Sequence, residues 1–243
     1  MSVPRFYCPR IPGTGMTVEL PPTAAHHAMR VLRLRIGDGI AVFGGDGGEY
    51  RAVISVMSHD HVSAEIQSCS GIDRESPLDI TLIQAVSSGD RMDLTIRMAV
   101  ELGAARIVPV IGVRSVVHLE GERARKRQRH WEDVVIAACE QCGRNRLPVV
   151  DPVAPLADWL RESPRAPVRW VLTPDATTTA HELARPDGAV QLLVGPEGGF
   201  TDDELRAAAR GGFEGIRFGP RIMRTETAAA AALAAFAALW GDF

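Results

Sequence analysis

Over the first seventy residues, apolar and polar positions alternate in short stretches. From His61 to Gln67, Val62, Ala64 and Ile66 fall on one face and Ser63, Glu65 and Gln67 on the other. That period of two is the mark of a half-buried strand. Arg5-Phe6-Tyr7, Met16 to Leu20, Ile40 to Phe43 and Tyr50 to Val56 predict further strands, and Gly44-Gly45-Asp46-Gly47-Gly48 predicts a hairpin turn. Thr23 to Leu34 carries helix formers with Thr23 placed as an N-cap. A small β-barrel with one helix fits this order.

The polar stretch Ser70 to Pro77 ends that pattern. Beyond it, apolar runs at Asp79 to Val86, Arg106 to Val110, Arg169 to Thr173, Ala189 to Val194 and Gly215 to Phe218 read as buried strands. Helical periods separate or follow them at Arg91 to Leu102, Glu122 to Cys142, Asp202 to Arg210 and Thr225 to Trp240. In the second of these, Trp131, Val134, Val135 and Ala138 share a face. Strands alternating with helices predict an α/β fold with a largely parallel sheet. The expected division is residues 1–72 and residues 73–243.

Composition narrows the class. At 243 residues, 46% hydrophobic and 23% charged, the chain has the balance of a soluble globular protein and excludes disorder, collagen or a disulfide scaffold. Net charge is −3, which advertises no nucleic-acid partner, yet of 27 basic residues only Lys126 is a lysine. Cationic chemistry here belongs to guanidinium groups, which fork onto phosphates and stack on bases. Cys139-Glu140-Gln141-Cys142 is a lone C-x-x-C without a second pair, so no metal is expected. The start has no apolar run, and Thr225 to Trp240 is too short and too weakly apolar to span a bilayer. A cytoplasmic protein without a membrane segment is expected.

The chemistry concentrates in two loops. Leu193-Val194-Gly195-Pro196-Glu197-Gly198-Gly199-Phe200 is a strand end followed by three glycines, and Thr201 with Glu204 forms a capping box for the next helix. Ile216-Arg217-Phe218-Gly219-Pro220 repeats the layout before the Ala-rich helix, with Thr225 or Thr227 as its cap. Ligands of open α/β sheets bind beyond the carboxyl ends of strands, where both loops fall. Neither has the Lys-Ser/Thr of a P-loop, and no strand precedes a G-x-G-x-x-G.

Gly195 to Phe200 together with Ile222-Met223-Arg224-Thr225-Glu226-Thr227-Ala228 resembles the RsmE family, bacterial small-subunit ribosomal RNA uridine-N3 methyltransferases of the SPOUT superfamily. Arg5-Phe6-Tyr7, His27-x-x-Arg30-Val31-Leu32-Arg33 with Gly37-Asp38, Asp90-Arg91-Met92-Asp93 with Glu101-Leu102-Gly103, and Glu140-Gln141-Cys142-Gly143-Arg144 extend the likeness along the chain. Ser88 stands where the family usually has a lysine, Arg97-Met98 where Gln-Lys is usual, and Met223 where leucine is commoner.

The resemblance implies a PUA-like RNA-binding barrel over residues 1–72 and a trefoil-knotted SPOUT methyltransferase domain over residues 73–243. It implies S-adenosylmethionine as cofactor, 16S ribosomal RNA or the assembled small subunit as partner, and a homodimer. The cofactor pocket would comprise Thr173, Pro174, Val194, Gly195, Pro196, Glu197, Gly199, Phe218, Gly219, Pro220, Ile222, Met223, Arg224 and Thr227. Arg144 and Arg224 are expected to face charge on the base, with Glu197 and Glu226 as candidate proton acceptors. A first-turn acid satisfying the helix dipole is the competing role for Glu226. RNA contacts are expected at Arg5, Tyr7, His27, Arg30, Arg33, Arg114, Arg123, Arg125, Lys126 and Arg144; Arg123 to Arg129 alone holds five cations in seven positions. The alternatives are the same fold acting on a transfer RNA base or ribose, and a non-catalytic RNA-binding or assembly factor.

Overall fold

A computed structural model describes residues 3–59, 61–162 and 164–243. Two compact units divide the chain. The first begins with strands Arg5–Tyr7 (β1) and Thr17–Glu19 (β2), helix Pro22–His26 (α1) and a π-helical turn at His27–Val31. Strands Gly39–Phe43 (β3), Glu49–Met57 (β4) and Val62–Ser70 (β5) complete it. The sheet order is β1-β3-β4-β5-β2, with β1 parallel to β3 and every other pair antiparallel. Register shifts in β4 at Arg51/Ala52 and Ile54/Val56 bend the sheet so that one face closes on Phe6, Val18, Ile40, Val42, Ile54 and Ile66. The predicted hairpin forms, with Phe43 opposite Glu49. Thr23 is not its helix's cap. Pro21 takes that position, because Pro22 lacks an N–H and has its φ preset for a first helical residue.

The second unit contains Ile80–Ala85 (β6), Arg91–Glu101 (α2), Arg106–Ile111 (β7) and Gly121–Cys142 (α3), whose end lies in the first unit. Val149–Val150 (β8), Ala154–Pro155 (β9), Leu156–Glu162 (α4), Val168–Leu172 (β10) and Thr178–Thr179 (β11) follow. The chain ends with Val190–Val194 (β12), Asp202–Arg210 (α5), Glu214–Arg217 (β13) and Thr225–Trp240 (α6). The sheet order is β11-β13-β10-β12-β6-β7-β8 with β9 also on β7, and every pairing is parallel. All five residues of β12 are buried, as a parallel strand covered on both faces requires. One face packs Ile83, Val108, Val171 and Leu193 with Phe213; elsewhere Trp170 meets Phe236, with ring centroids 5.0 Å apart.

The units are not contiguous in the way the 72/73 division anticipates. The first takes in the chain up to Glu75 and also Ile136–Leu147. The reason is polar. The Glu75 carboxylate accepts from the Arg144 guanidinium at 2.7 Å and from the Asn145 and Arg146 backbone N–H groups at 3.1 and 3.0 Å. Glu140 likewise accepts the Tyr7 N–H at 2.9 Å.

Candidate active site

In the second unit the carboxyl ends of β10, β12 and β13 open on one cavity of about 630 Å³. That is the size of a small-molecule site. Its wall is made by the loops that the two glycine-rich segments form. Of the residues anticipated for a cofactor, only Pro220 and Thr227 fall outside the lining; Thr173, Pro174, Val194 to Glu197, Gly199, Phe218, Gly219 and Ile222 to Arg224 all belong to it. The glycines have local causes. A Cβ on Gly195 would sit 3.3 Å from the Phe200 ring, and Gly199 turns the chain at φ +66°.

The first loop is held from several sides. Thr201 and Glu204 form the expected capping box, with the Thr201 N–H donating to Glu204 Oε2 at 2.8 Å and the Glu204 N–H donating to Thr201 Oγ1 at 3.2 Å. The other Glu204 oxygen accepts the Val113 N–H at 2.8 Å. Arg114 donates to the carbonyls of Gly198 and Phe200 at 3.1 and 3.3 Å. Arg114, expected to touch RNA, thus braces the loop while remaining exposed.

Glu197 is likewise committed. Its carboxylate accepts from the Ser88 N–H and hydroxyl, both at 3.0 Å, and from Arg91 at 2.8 Å. Burial by itself would push its pKa up. The hydrogen bonds from the backbone N–H groups of Ser88 and Glu197, from Arg91 and from the Ser88 hydroxyl outweigh it, and the carboxyl lies below its ordinary value. A carboxylate so stabilised is a poor proton acceptor and a good anchor. Ser88, where a lysine is usual, therefore ties this loop to the start of α2.

Glu226 differs. It is buried in the first turn of α6, lines the cavity, and its Oε2 has no hydrogen-bond partner. Arg217, Arg221 and Arg224 line the same cavity, and Arg217 Nε is a buried donor without a partner. The expected cap of α6 is corrected: the cap position is Arg224, with no side-chain bond, and the Thr225 hydroxyl donates to the Gly195 carbonyl. Thr225, Arg91 and Arg217 were not expected at the site, whereas Arg221 lies within the Phe218 to Arg224 stretch anticipated for the pocket. Thr225 was visible in the sequence only as a helix cap, and arginines in an arginine-rich chain carry little signal.

Arg144 stands elsewhere. It belongs to the first unit, is 5% exposed, and grips Glu75 through Nε and Nη2 at 3.0 and 2.7 Å. One carboxylate thus takes two guanidinium nitrogens of the residue expected to face the base and the RNA. Arg5 is similar: it pairs with Glu49, donates to the Arg144 carbonyl and to Asn145 Oδ1 at 3.0 and 2.8 Å, and covers the Phe43 ring. Tyr7 leans on Phe43, and the exposed His27 sets its ring edge-on to Phe6. Arg30, Arg33, Arg123, Arg125 and Lys126 are exposed, with Arg125 paired to Glu122 at 3.0 Å. Cys139 is buried, which pushes its thiol up to about 12 and disfavours the thiolate. Among the described residues no group of three or more His, Cys, Asp or Glu is placed to hold a metal, and no helix is long and apolar enough to cross a membrane.

A family profile described as RNA methyltransferase domain matches residues 74–237, and one described as RNA methyltransferase PUA domain matches residues 20–67. The chain is 31% identical over 240 residues to the ribosomal RNA small subunit methyltransferase E of Buchnera aphidicola, covering 99% of this chain and 98% of that one. The ribosomal RNA small subunit methyltransferase E of Neisseria gonorrhoeae, solved bound to S-adenosylmethionine, is 42% identical with a TM-score of 0.93, covering 100% of both chains. A Legionella pneumophila protein, solved in complex with the same cofactor, is 37% identical with a TM-score of 0.96, again over 100% of both chains.

Proposed function

The chain belongs to the ribosomal RNA small subunit methyltransferase E family, and from that premise we propose that it transfers a methyl group from S-adenosylmethionine to N3 of one uridine in 16S ribosomal RNA. The observation that carries the reading is the cavity shared by the two glycine loops. The residues suit the cofactor's chemistry. Glycine backbone admits a flat adenine closely, and Arg217, Arg221 and Arg224 offer cations to a carboxylate.

Bound there, the cofactor supplies a methyl group on a sulfonium, an electrophile that needs alignment rather than activation. The chain's task is to make uracil N3 nucleophilic. Losing the N3 proton spreads negative charge over O2 and O4, and a cation placed beforehand lowers that barrier. Glu226 is the group suited to take the proton, since Glu197 is spent on Ser88 and Arg91. Arg224, two residues before it and on the same cavity wall, is suited to face the developing charge. The small unit and the exposed cations Arg30, Arg33, Arg123 and Lys126 are assigned to the RNA, and two copies of the chain to the working enzyme.

Mass mapping of 16S ribosomal RNA from a strain lacking the gene tests the reading. One methyl is expected to vanish from one uridine and to return with the gene. Loss of a methyl from a ribose or a transfer RNA instead would overturn it. Glu226→Gln is expected to lower turnover at least 100-fold, the scale of general-base catalysis, with S-adenosylmethionine affinity within a few-fold. Equal turnover would remove Glu226 from the chemistry.

A further inference from the structure

Three segments far apart in sequence meet in one hydrogen-bond chain. Gln84 lies near the end of β6, Gly195 follows β12, and Thr225 opens α6. Gln84 Nε2 donates to Thr225 Oγ1 at 2.8 Å and to the Ala85 carbonyl at 3.0 Å, while Thr225 Oγ1 donates to the Gly195 carbonyl at 2.6 Å. Gln84 is fully buried and Thr225 is 5% exposed. The direction is fixed. A hydroxyl has one proton, and accepting from Gln84 leaves that proton for Gly195. Turning the Gln84 amide over would face its oxygen to the Ala85 carbonyl, so the amide holds its orientation even though Oε1 has no partner.

The acceptor is unusual in what it lacks. The Gly195–Pro196 peptide has no N–H, so the carbonyl is its one strong hydrogen-bonding group. Thr225 captures it inside the protein and thereby sets the tilt of that peptide plane. Both of its residues line the cavity. The same contact holds the start of α6, where Arg224 and Glu226 flank Thr225 and also line the cavity. The β6–β12 ladder ends at this level, with Val194 opposite Gln84. The side-chain links therefore begin where the backbone pairing stops.

We propose that Thr225 and Gln84 are positioning residues, which preorganise the Gly195–Pro196 wall and the Arg224–Glu226 edge for the bound ligand. The inference rests on the reading of this cavity as the S-adenosylmethionine site. Its cost of failure is measurable, because removing one buried hydrogen-bond partner leaves another unsatisfied and lets the wall relax before binding.

The test is calorimetric titration of the full chain with S-adenosylmethionine and, separately, S-adenosylhomocysteine, using Thr225→Val, Thr225→Ser, Gln84→Met and the Thr225→Val/Gln84→Met double variant. Each is first checked for a folded baseline by circular dichroism. Thr225→Val is expected to bind about ten-fold more weakly. Thr225→Ser, which keeps the hydroxyl, should stay within about two-fold, and the double variant should be no weaker than Thr225→Val, as members of one network are not additive. A folded Thr225→Val with unchanged affinity, or a Thr225→Ser as weak as Thr225→Val, would overturn the proposal. Where Thr225→Val does not fold, Gln84→Met decides on the same terms: unchanged affinity counts against, several-fold loss for. Failure of the unmodified protein to bind either ligand would instead overturn the cofactor reading itself.

Discussion

Arg33 is the sole non-glycine residue among those described with a positive φ, at 54°. It sits just past the π-helical turn, where the Leu34 N–H reaches back to the Ala28 carbonyl at 3.0 Å, the closure that glycine ordinarily permits after a helix. A side chain there costs about 1 kcal/mol. Arg33→Gly is therefore expected to raise stability by about that amount in urea unfolding. If the guanidinium holds a phosphate, RNA affinity falls in the same variant. A gain in stability with unaltered RNA binding would leave Arg33 without that role. Glu140 is strained by charge instead. Burial is the largest influence on it and raises its pKa above the ordinary 4.5, against the opposing pull of the Tyr7 N–H, His27 and Arg5. The folded state then holds the proton more tightly than the unfolded one, so this site loses stability as pH rises from the ordinary value through the raised one. Glu140→Gln keeps an acceptor for Tyr7 and removes that loss. Its advantage over the unmodified protein should be full at neutral pH and gone near pH 4.

Along α3 the basic run is not uniform. Glu122 takes Arg125 at 3.0 Å and Arg129 at 3.2 Å, whereas Arg123, Lys126 and Arg127 are exposed and pair with no carboxylate among the described residues. If this helix tracks a phosphate backbone, Arg123→Ala and Lys126→Ala should each flatten the salt dependence of RNA binding by nearly one phosphate's worth, and Arg125→Ala by less. Identical slopes in all variants would make the run a solvated face. Which elements could be read in advance follows from the same physics. The strands β6, β7, β10 and β12 and the helix α6 are legible by their continuous apolar runs, and α5 by its capping box. The two-residue strands β8, β9 and β11 are too short to carry a period. Helix α4 has only seven residues, and its stripe of Leu156, Trp159 and Leu160 is under two turns long, too short to set a helical period apart. At the site, glycine loops are local signals and were legible. The bonds Gln84–Thr225 and Arg91–Glu197 span 141 and 106 residues, and only the folded chain pairs them.

For the whole molecule, the net charge of −3 averages over exposed arginines and says little; the informative surface is apolar. Helix α6 buries Ala229, Leu233 and Phe236 within its own unit, yet Leu239 and Phe243 beyond them remain 44% and 71% exposed. Ile222, on the cavity lining, is 84% exposed. An isoleucine so placed at the edge of a binding site has favourable burial still to gain. If a second copy of the chain covers the C-terminal end of α6, it buries Leu239 and Phe243, and a ligand or partner over the cavity rim would bury Ile222. Light scattering is then expected to give twice 26.2 kDa at micromolar concentration. Leu239→Glu should shift the protein toward a monomer. Because a ligand that binds only one assembly state stabilises it by mass action, the same variant should bind S-adenosylmethionine more weakly, and cofactor should restore the dimer. A monomer that binds cofactor as tightly as the unmodified protein would separate the two and confine the site to a single chain.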